Sequence, residues 1–244
     1  MTTVLLTRPL TQVAALEALV AKNGHQPLLF PTLEIQALKA RVKCEHYDAV
    51  IFISANAVEF GLEILEKITY SAIFTVGAAT AKKLNDYQID VNDFPRKNAS
   101  SEALLALESV SCLRDKKILI FRGKGGRETL RIGFEKNHNK VEYAQVYDRV
   151  ICSLSVQHQQ SLKVFLSDPK GYISVTSNEN LDGLMALAKQ MGQLDNIKQY
   201  PLIVLSARIK AYANTCGFSQ IIITPNISDQ AIASVLERDD TLDN

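Results

Sequence analysis

The stretch Tyr172-Ile-Ser-Val-Thr-Ser-Asn-Glu-Asn-Leu-Asp-Gly-Leu-Met-Ala-Leu-Ala-Lys-Gln-Met191 decides the fold. It begins as a short apolar run and ends in Thr176-Ser177. Leu181, Leu184, Ala188 and Met191 then recur at helical spacing on one face. A strand that is apolar without alternation is buried on both faces, the habit of parallel sheets covered by helices. Ser177 stands where a helix N-cap belongs.

The same unit recurs along the chain. Val4-Leu-Leu-Thr-Arg-Pro9, Val50-Ile-Phe-Ile-Ser54, Ile73-Phe-Thr-Val-Gly77, Ile118-Leu-Ile-Phe-Arg-Gly123, Leu202-Ile-Val-Leu-Ser206 and Ile221-Ile-Ile-Thr-Pro225 each close in a turn residue. After Ser54, Val58, Leu62 and Leu65 repeat the helical stripe. Ser54 and Ser228 are further N-cap candidates, Pro9 suits a first helical turn, and Gly24 and Gly217 suit left-handed helix ends. The expected class is α/β with doubly wound parallel sheets.

The units also repeat. Ser54-Ala-Asn-Ala57, Val76-Gly-Ala-Ala-Thr80, Phe94-Pro95 with Ser100-Ser101, Arg122-Gly-Lys-Gly-Gly-Arg127 and Val141-Glu-Tyr-Ala-Gln-Val-Tyr147 come in that order. Outside them, Thr176-Ser-Asn178, Ser206-Ala-Arg208 and Thr224-Pro225 match the first three. Thr7-Arg-Pro9 and the strand Leu28–Ile35 match the last two. The match is of pattern and not identity, and any doubly wound chain is somewhat self-similar. The simplest reading inserts one copy into the other. An outer α/β domain would take residues 1–34 and 151–244, and an inserted one 35–150, with linker strands near 28–36 and 141–150 forming a two-stranded ladder.

Composition is that of a globular protein, 47% hydrophobic and 22% charged. A formal net charge of +1 argues against bulk nucleic-acid binding. The N-terminus reads as free of a signal peptide, no apolar run approaches the ~20 residues of a membrane span, and the expected compartment is the cytoplasm. Cys44, Cys112, Cys152 and Cys216 lack metal spacing and read as reduced, semi-buried side chains. His25, His46, His138 and His158 fall in polar connecting segments and read as solvated. The end, Glu237-Arg-Asp-Asp-Thr-Leu-Asp-Asn244, reads as a frayed polar tail. No exposed apolar stripe demands a partner, so a monomer is expected.

In open α/β sheets, ligands bind beyond the carboxyl ends of the strands. Those ends carry Thr7, Arg8, Ser54, Asn56, Gly77, Thr80, Arg122, Lys124, Arg127, Ser177, Asn178, Ser206, Arg208 and Thr224. Each turn also opens a helix, whose first N–H groups and dipole favour anions. Two domains of such turns would line a shared cleft suited to a polyanion. P-loop, G-x-S-x-G and H-E-x-x-H motifs are absent, and Gly123-Lys-Gly-Gly126 lacks the third glycine of a dinucleotide fingerprint. Tyr147 ends the linker strand and would face the space between the domains, although a tyrosine at strand spacing is commonly core.

Thr7-Arg-Pro9, Ser54-Ala-Asn-Ala-Val58, Val76-Gly-Ala-Ala-Thr-Ala81, Arg122-Gly-Lys-Gly-Gly-Arg-Glu128, Tyr147-Asp-Arg149, Thr176-Ser177 and Ser206-Ala-Arg-Ile209, in order along the whole chain, resemble uroporphyrinogen-III synthases of proteobacterial type. The resemblance implies two flavodoxin-like domains joined by a β-ladder. It implies cyclisation of hydroxymethylbilane to uroporphyrinogen III with loss of water and inversion of ring D, without metal or organic cofactor. Tyr147 matches the tyrosine thought to assist the departing hydroxyl. Thr80 matches a Gly-x-x-Thr turn, and Ser54 and Ser177 match carboxylate-binding turns. The substrate-binding set is then Thr7, Arg8, Ser54, Ala55, Asn56, Gly77, Thr80, Arg122, Gly123, Lys124, Ser177, Asn178, Ser206, Arg208 and Thr224. Where many relatives carry Gly-Pro, this chain has Ser206-Ala207. The implied partner is a small linear tetrapyrrole polycarboxylate, with no nucleic acid or membrane, and with hydroxymethylbilane synthase as a candidate transient contact. A non-enzymatic clam-shell receptor for a small polyanion would explain the turns but not the tyrosine, and the missing phosphate motifs argue against a phosphosugar or nucleotide enzyme of flavodoxin-like fold.

Overall fold

A computed structural model describes residues 2–240, with side chains through Glu237. Its strands are β1 (Thr3–Leu6), β2 (Gln26–Leu29), β3 (Leu33–Ala37), β4 (His46–Phe52), β5 (Thr69–Thr75), β6 (Lys117–Gly123), β7 (Lys140–Ile151), β8 (Tyr172–Val175), β9 (Leu202–Val204) and β10 (Ile221–Ile223). The chain falls into two compact units, Met1–Glu34 with Val150–Asn244, and Ile35–Arg149. They are called the outer and the inserted unit below.

The outer unit holds one sheet in the order β10-β9-β8-β1-β2, parallel throughout. Its middle strands are apolar at every position except Thr3 and Ser174, and all of those positions are buried. Successive side chains point to opposite faces. Leu5, Ile173, Val175, Leu202 and Val204 pack one way with Leu181, Leu184 and Leu187. Val4, Leu6, Tyr172 and Ile203 pack the other way with Val13, Leu16 and Ile232. Each fully buried side chain of this kind contributes about 1.5–3 kcal/mol, and helices on both faces are needed to collect it.

The inserted unit repeats the scheme. Its sheet runs β3-β7-β6-β4-β5, with β7, β6, β4 and β5 mutually parallel and Asp93 bridging to Phe74 beyond β5. Val50, Phe52, Leu119 and Phe121 face one layer, while Ala49, Ile51, Ile118 and Ile120 face the other. Phe52 and Phe121 stack with centroids 4.4 Å apart. Gly61, in helix Ala55–Leu65, lets that helix settle on the pair, since a Cβ there would lie 2.7 Å from Phe121.

The permuted repeat is visible as topology. Matching β8 to β4, β9 to β5, β10 to the Asp93 bridge, β1 to β6 and β2 to β7 brings both sheets into the same spatial order. In each, the winding reverses at one place: between β1 and β8 in the outer unit, and between β6 and β4 in the inserted one. Open α/β sheets bind ligands at such switch points.

Several sequence expectations need correction. The extended stretch near 28–36 is broken between β2 and β3, where Pro31 supplies no N–H for a ladder. Pro9 sits at the cap of helix Leu10–Lys22 and not in its first turn, since its ψ of 142° is extended. His25 and His158 are buried, and Cys112 is exposed. Of the expected polar tail, residues 237–240 continue helix Asp229–Asp240, and residues 241–244 lie outside the described residues. Among the described residues, no helix is long and apolar enough to cross a membrane.

Candidate active site

In the inserted unit, the switch point is made by the ends of β4 and β6. Ser54 follows β4 and caps helix Ala55–Leu65, its Oγ accepting the Ala57 N–H at 3.1 Å. The same oxygen lies 3.1 Å from the Tyr147 hydroxyl, so the tyrosine reaches the switch point from β7 across β6. Two features allow this. The register of β6 and β7 slips by one residue, pairing Arg122 with Gln145 but Gly123 with Tyr147. This bulge turns both Val146 and Tyr147 inward. Gly123 then leaves room for the ring, because a Cβ there would sit 2.7 Å from it.

Tyr147 is therefore not open, as its place on the linker strand suggested. It is 2% exposed, and its ring joins the core with Phe60 nearby. Its hydroxyl meets the half-buried Ser54, and Lys124 N–H donates to its carbonyl at 2.8 Å.

Gly123→Ala tests this packing directly. The added methyl forces the ring aside and is expected to cost about 1–3 kcal/mol of stability, the range for overpacking a filled core. It should also lengthen the Tyr147–Ser54 contact. Thermal unfolding and a crystal structure of the variant check both, and an unshifted midpoint would show that the ring has space to spare.

Arg122 was expected to meet the ligand, but it is turned inward and 4% exposed. Its guanidinium donates to the Gly125 and Gly123 carbonyls, pairs with Glu128 at 3.2 Å and lies over the Tyr143 ring. The glycine-rich turn wraps around it. Gly125 and Gly126 take φ of 73° and 93°, and a Cβ at Gly126 would fall 2.6 Å from the guanidinium. The outward groups of this turn are Lys124, paired with Asp148, and Arg127, paired with Glu102.

Beside this lies the turn after β5. Gly77 caps helix Ala78–Asn85, and the segment carrying Ala99 passes so near that a Cβ at Gly77 would be 2.6 Å from it. Thr80 is 6% exposed. Ala55 and Asn56 lie in the first turn after Ser54.

The outer unit's switch point is more tightly knit. Thr7 is fully buried and donates to the Ser174 carbonyl at 2.7 Å. Asn180 donates to the Thr7 carbonyl and to Thr32 Oγ1, and Thr32 Oγ1 donates to the Thr7 carbonyl. Asn180 Oδ1 accepts from the hydroxyls of Thr176, at 2.7 Å, and Ser177. Ser177 Oγ accepts the Asn180 N–H as an N-cap. Thr7 thus builds the turn and has no group left for a ligand.

Two other expected ligands are also internally engaged. Arg8 pairs with Asp229 at 2.5 Å, and Thr224 donates to the Asn226 carbonyl at 2.7 Å. Ser206 caps helix Ala207–Thr215. Arg208 is exposed, with no ion-pair partner among the described residues. Asn178 is half-buried beside Ser177.

Sequence reasoning missed Asn180, Thr32 and His158. Asn180 stands three residues after Ser177, the spacing at which a capped helix presents its first inward side chain. His158 stands three after Ser155, forming a capping box while its Nε2 lies 2.8 Å from the Pro31 carbonyl. It anchors the break between β2 and β3.

The chain matches the family model described as "Uroporphyrinogen-III synthase HemD" over residues 14–234. It is 26% identical over 247 residues to the uroporphyrinogen-III synthase of Salmonella typhimurium, covering 96% of this chain and 99% of that protein. It is also 26% identical over 164 residues to that of Escherichia coli, covering 67% and 66%. A solved uroporphyrinogen-III synthetase from Helicobacter pylori has the same fold, with a TM-score of 0.69 at 17% identity, covering 98% of this chain and 99% of that one.

Proposed function

The chain belongs to the uroporphyrinogen-III synthase family, and from that premise we propose that its two sets of strand-end turns hold hydroxymethylbilane while the Tyr147–Ser54 pair assists loss of its hydroxyl. Members of this family are cyclising lyases of tetrapyrrole synthesis. The reaction closes the linear tetrapyrrole to uroporphyrinogen III, releasing water and inverting ring D.

The single observation that carries the reading is the 3.1 Å contact between Tyr147 and Ser54 hydroxyls at a switch point. Loss of the hydroxyl from ring A needs a hydrogen-bond donor or acid at the departing oxygen. Tyr147 can donate through Ser54, which lies nearer solvent and is fixed in orientation by its cap to Ala57. The azafulvene cation so formed is attacked by the substituted α-carbon of ring D. The spiro intermediate then fragments and recloses with that ring inverted. The bilane loses water and closes without inversion unaided, so most of the protein's work is to hold the reacting ends in one geometry. A polyanion receptor without chemistry would give the Tyr147–Ser54 pair a packing role alone.

Carboxylates of the substrate are proposed to meet the backbone N–H groups and hydroxyls of the turns at Ser54-Ala55-Asn56, Gly77 with Thr80, Gly123-Lys124, Ser177-Asn178 and Ser206 with Arg208. Arg122, Thr7, Arg8 and Thr224 act behind them, fixing the turns. Because the donors are many, single Ser or Thr changes in the turns, Ser54 apart, are expected to raise KM only slightly. The protein is proposed to work as a cytoplasmic monomer, with transient contact to hydroxymethylbilane synthase. Complementation tests the function. A bacterial strain lacking its own uroporphyrinogen-III synthase should regain growth without added haem when it expresses this chain, and failure with confirmed folded protein would refute the reading.

A further inference from the structure

We infer that the inserted unit carries a second anion site at the opposite end of its sheet, taking a small multivalent oxyanion, polyphosphate or polycarboxylate, in a cavity of about 620 Å³ lined by Arg41, Lys43, Lys117, Arg131 and Lys140. Lys117 opens β6 and Lys140 opens β7, and the two are paired in register. From Lys117 to Gly123, β6 spans roughly 20 Å, so Lys117 and Lys140 are remote from the Tyr147 hydroxyl, while the cavity's lining runs along β7 as far as Gln145.

Three observations point to an anion. First, four of the five cations are uncompensated, Arg131 being paired with Glu128 and Glu135. Elsewhere on the same unit, Lys116 pairs with Asp48, Lys83 with Glu59 and Lys124 with Asp148. Around the cavity, Arg41, Lys43, Lys117 and Lys140 are exposed, and none has an ion-pair partner among the described residues. Second, the cavity's one carboxylate is spent on architecture. Glu142 accepts the Lys43 N–H at 2.8 Å with one oxygen and the Tyr47 hydroxyl at 2.8 Å with the other. Tyr47 is 1% exposed and also accepts the Cys44 N–H. Glu142 thereby ties the loop that carries Arg41 and Lys43 to β7, and it makes no ion pair with the cavity's cations among the described residues. Third, like charges on neighbouring strands repel, as Lys117 and Lys140 do, and a bound anion removes that cost.

The size and shape narrow the class. The cavity is far larger than the ~30 Å³ share of one water, so a single small ion would leave cations unmet. It is a concavity and not a basic stripe, and the net charge of +1 does not suit a nucleic acid.

Isothermal titration of the full chain tests the site, with tripolyphosphate and tricarballylate as separate probes near 0.15 M salt. At least one probe is expected to bind saturably at one site. Lys117→Gln with Lys140→Gln should weaken it by about tenfold or more, since two charge-assisted contacts are lost. Lys189→Gln, a change to an exposed lysine of the outer unit, should leave it unaltered. Binding of tripolyphosphate alone assigns the natural ligand to phosphates, and comparable binding of tricarballylate assigns it to polycarboxylates. Cyclisation by the double variant without added anion should match that of the unaltered protein. The inference is overturned if neither probe saturates, or if binding survives the double substitution. Displacement of a surviving probe by hydroxymethylbilane would place it at the turns instead, leaving the proposed function intact.

Discussion

Tyr147→Phe is expected to lower the turnover of hydroxymethylbilane by about 10²- to 10⁴-fold, the usual worth of a positioned proton donor. The fold should survive. The ring that fills the core beside Gly123 is unchanged by the substitution, and only the hydroxyl is removed. That hydroxyl's partner is Ser54 Oγ, so its loss should cost about 1 kcal/mol, the net worth of one neutral hydrogen bond. Ser54 keeps its cap to Ala57, and the helix start should stay in place. The KM should therefore move much less than kcat. Steady-state kinetics on protein whose circular dichroism matches the parent checks this. Unchanged turnover would remove Tyr147 from the chemistry and leave it a core residue.

Asn180→Ala is expected to cost about 2–4 kcal/mol of stability and to loosen the outer unit's turn. Asn180 is 4% exposed, and its amide serves four partners: the Thr7 carbonyl, Thr32, Thr176 and Ser177. Truncation leaves these groups short of a partner in a site that water does not easily reach. Each unsatisfied buried polar group costs about 1–3 kcal/mol, although Thr176 and Ser177, being half-buried, recover part of theirs from solvent. Space is not freely available for repacking either, since Gly183 already sits so close that a Cβ would lie 2.7 Å from the Thr32 carbonyl. Denaturant unfolding followed by a probe in the outer unit measures the loss. A change under ~0.5 kcal/mol, the range of surface substitutions, would show that the network does not fasten the turn.

The strands and their order of repeats were legible because a sheet covered on both faces demands apolar side chains at every position. Tyr172–Val175 and Ile118–Phe121 carry that demand openly. The positions of the strand-end turns were legible for a related reason, since strand ends before helices are marked by Ser, Thr and Gly. What strand-end position does not reveal is the direction of a side chain. Arg122 ends an apolar strand and Arg208 follows one by a single turn, yet the first is folded under its own glycine-rich turn and the second is exposed. Thr7 likewise ends an apolar strand, yet its hydroxyl is turned inward to the Ser174 carbonyl. The burial of Tyr147 depends on a one-residue slip between β6 and β7, which a period-two reading passes over. His158 was hidden because it takes the place that Glu or Gln usually fills in a capping box.

Under the proposed function, the Tyr147–Ser54 contact, the knitted turn around Asn180 and the spread of donors along the strand ends serve to shape a flexible substrate more than to attack it. The product isomer tests this most directly. Purified chain is supplied with freshly made hydroxymethylbilane, and the cyclised product is oxidised and resolved into type I and type III porphyrins. Type III should predominate and form faster than the spontaneous closure, whereas type I alone, accumulating at the spontaneous rate, would contradict the account.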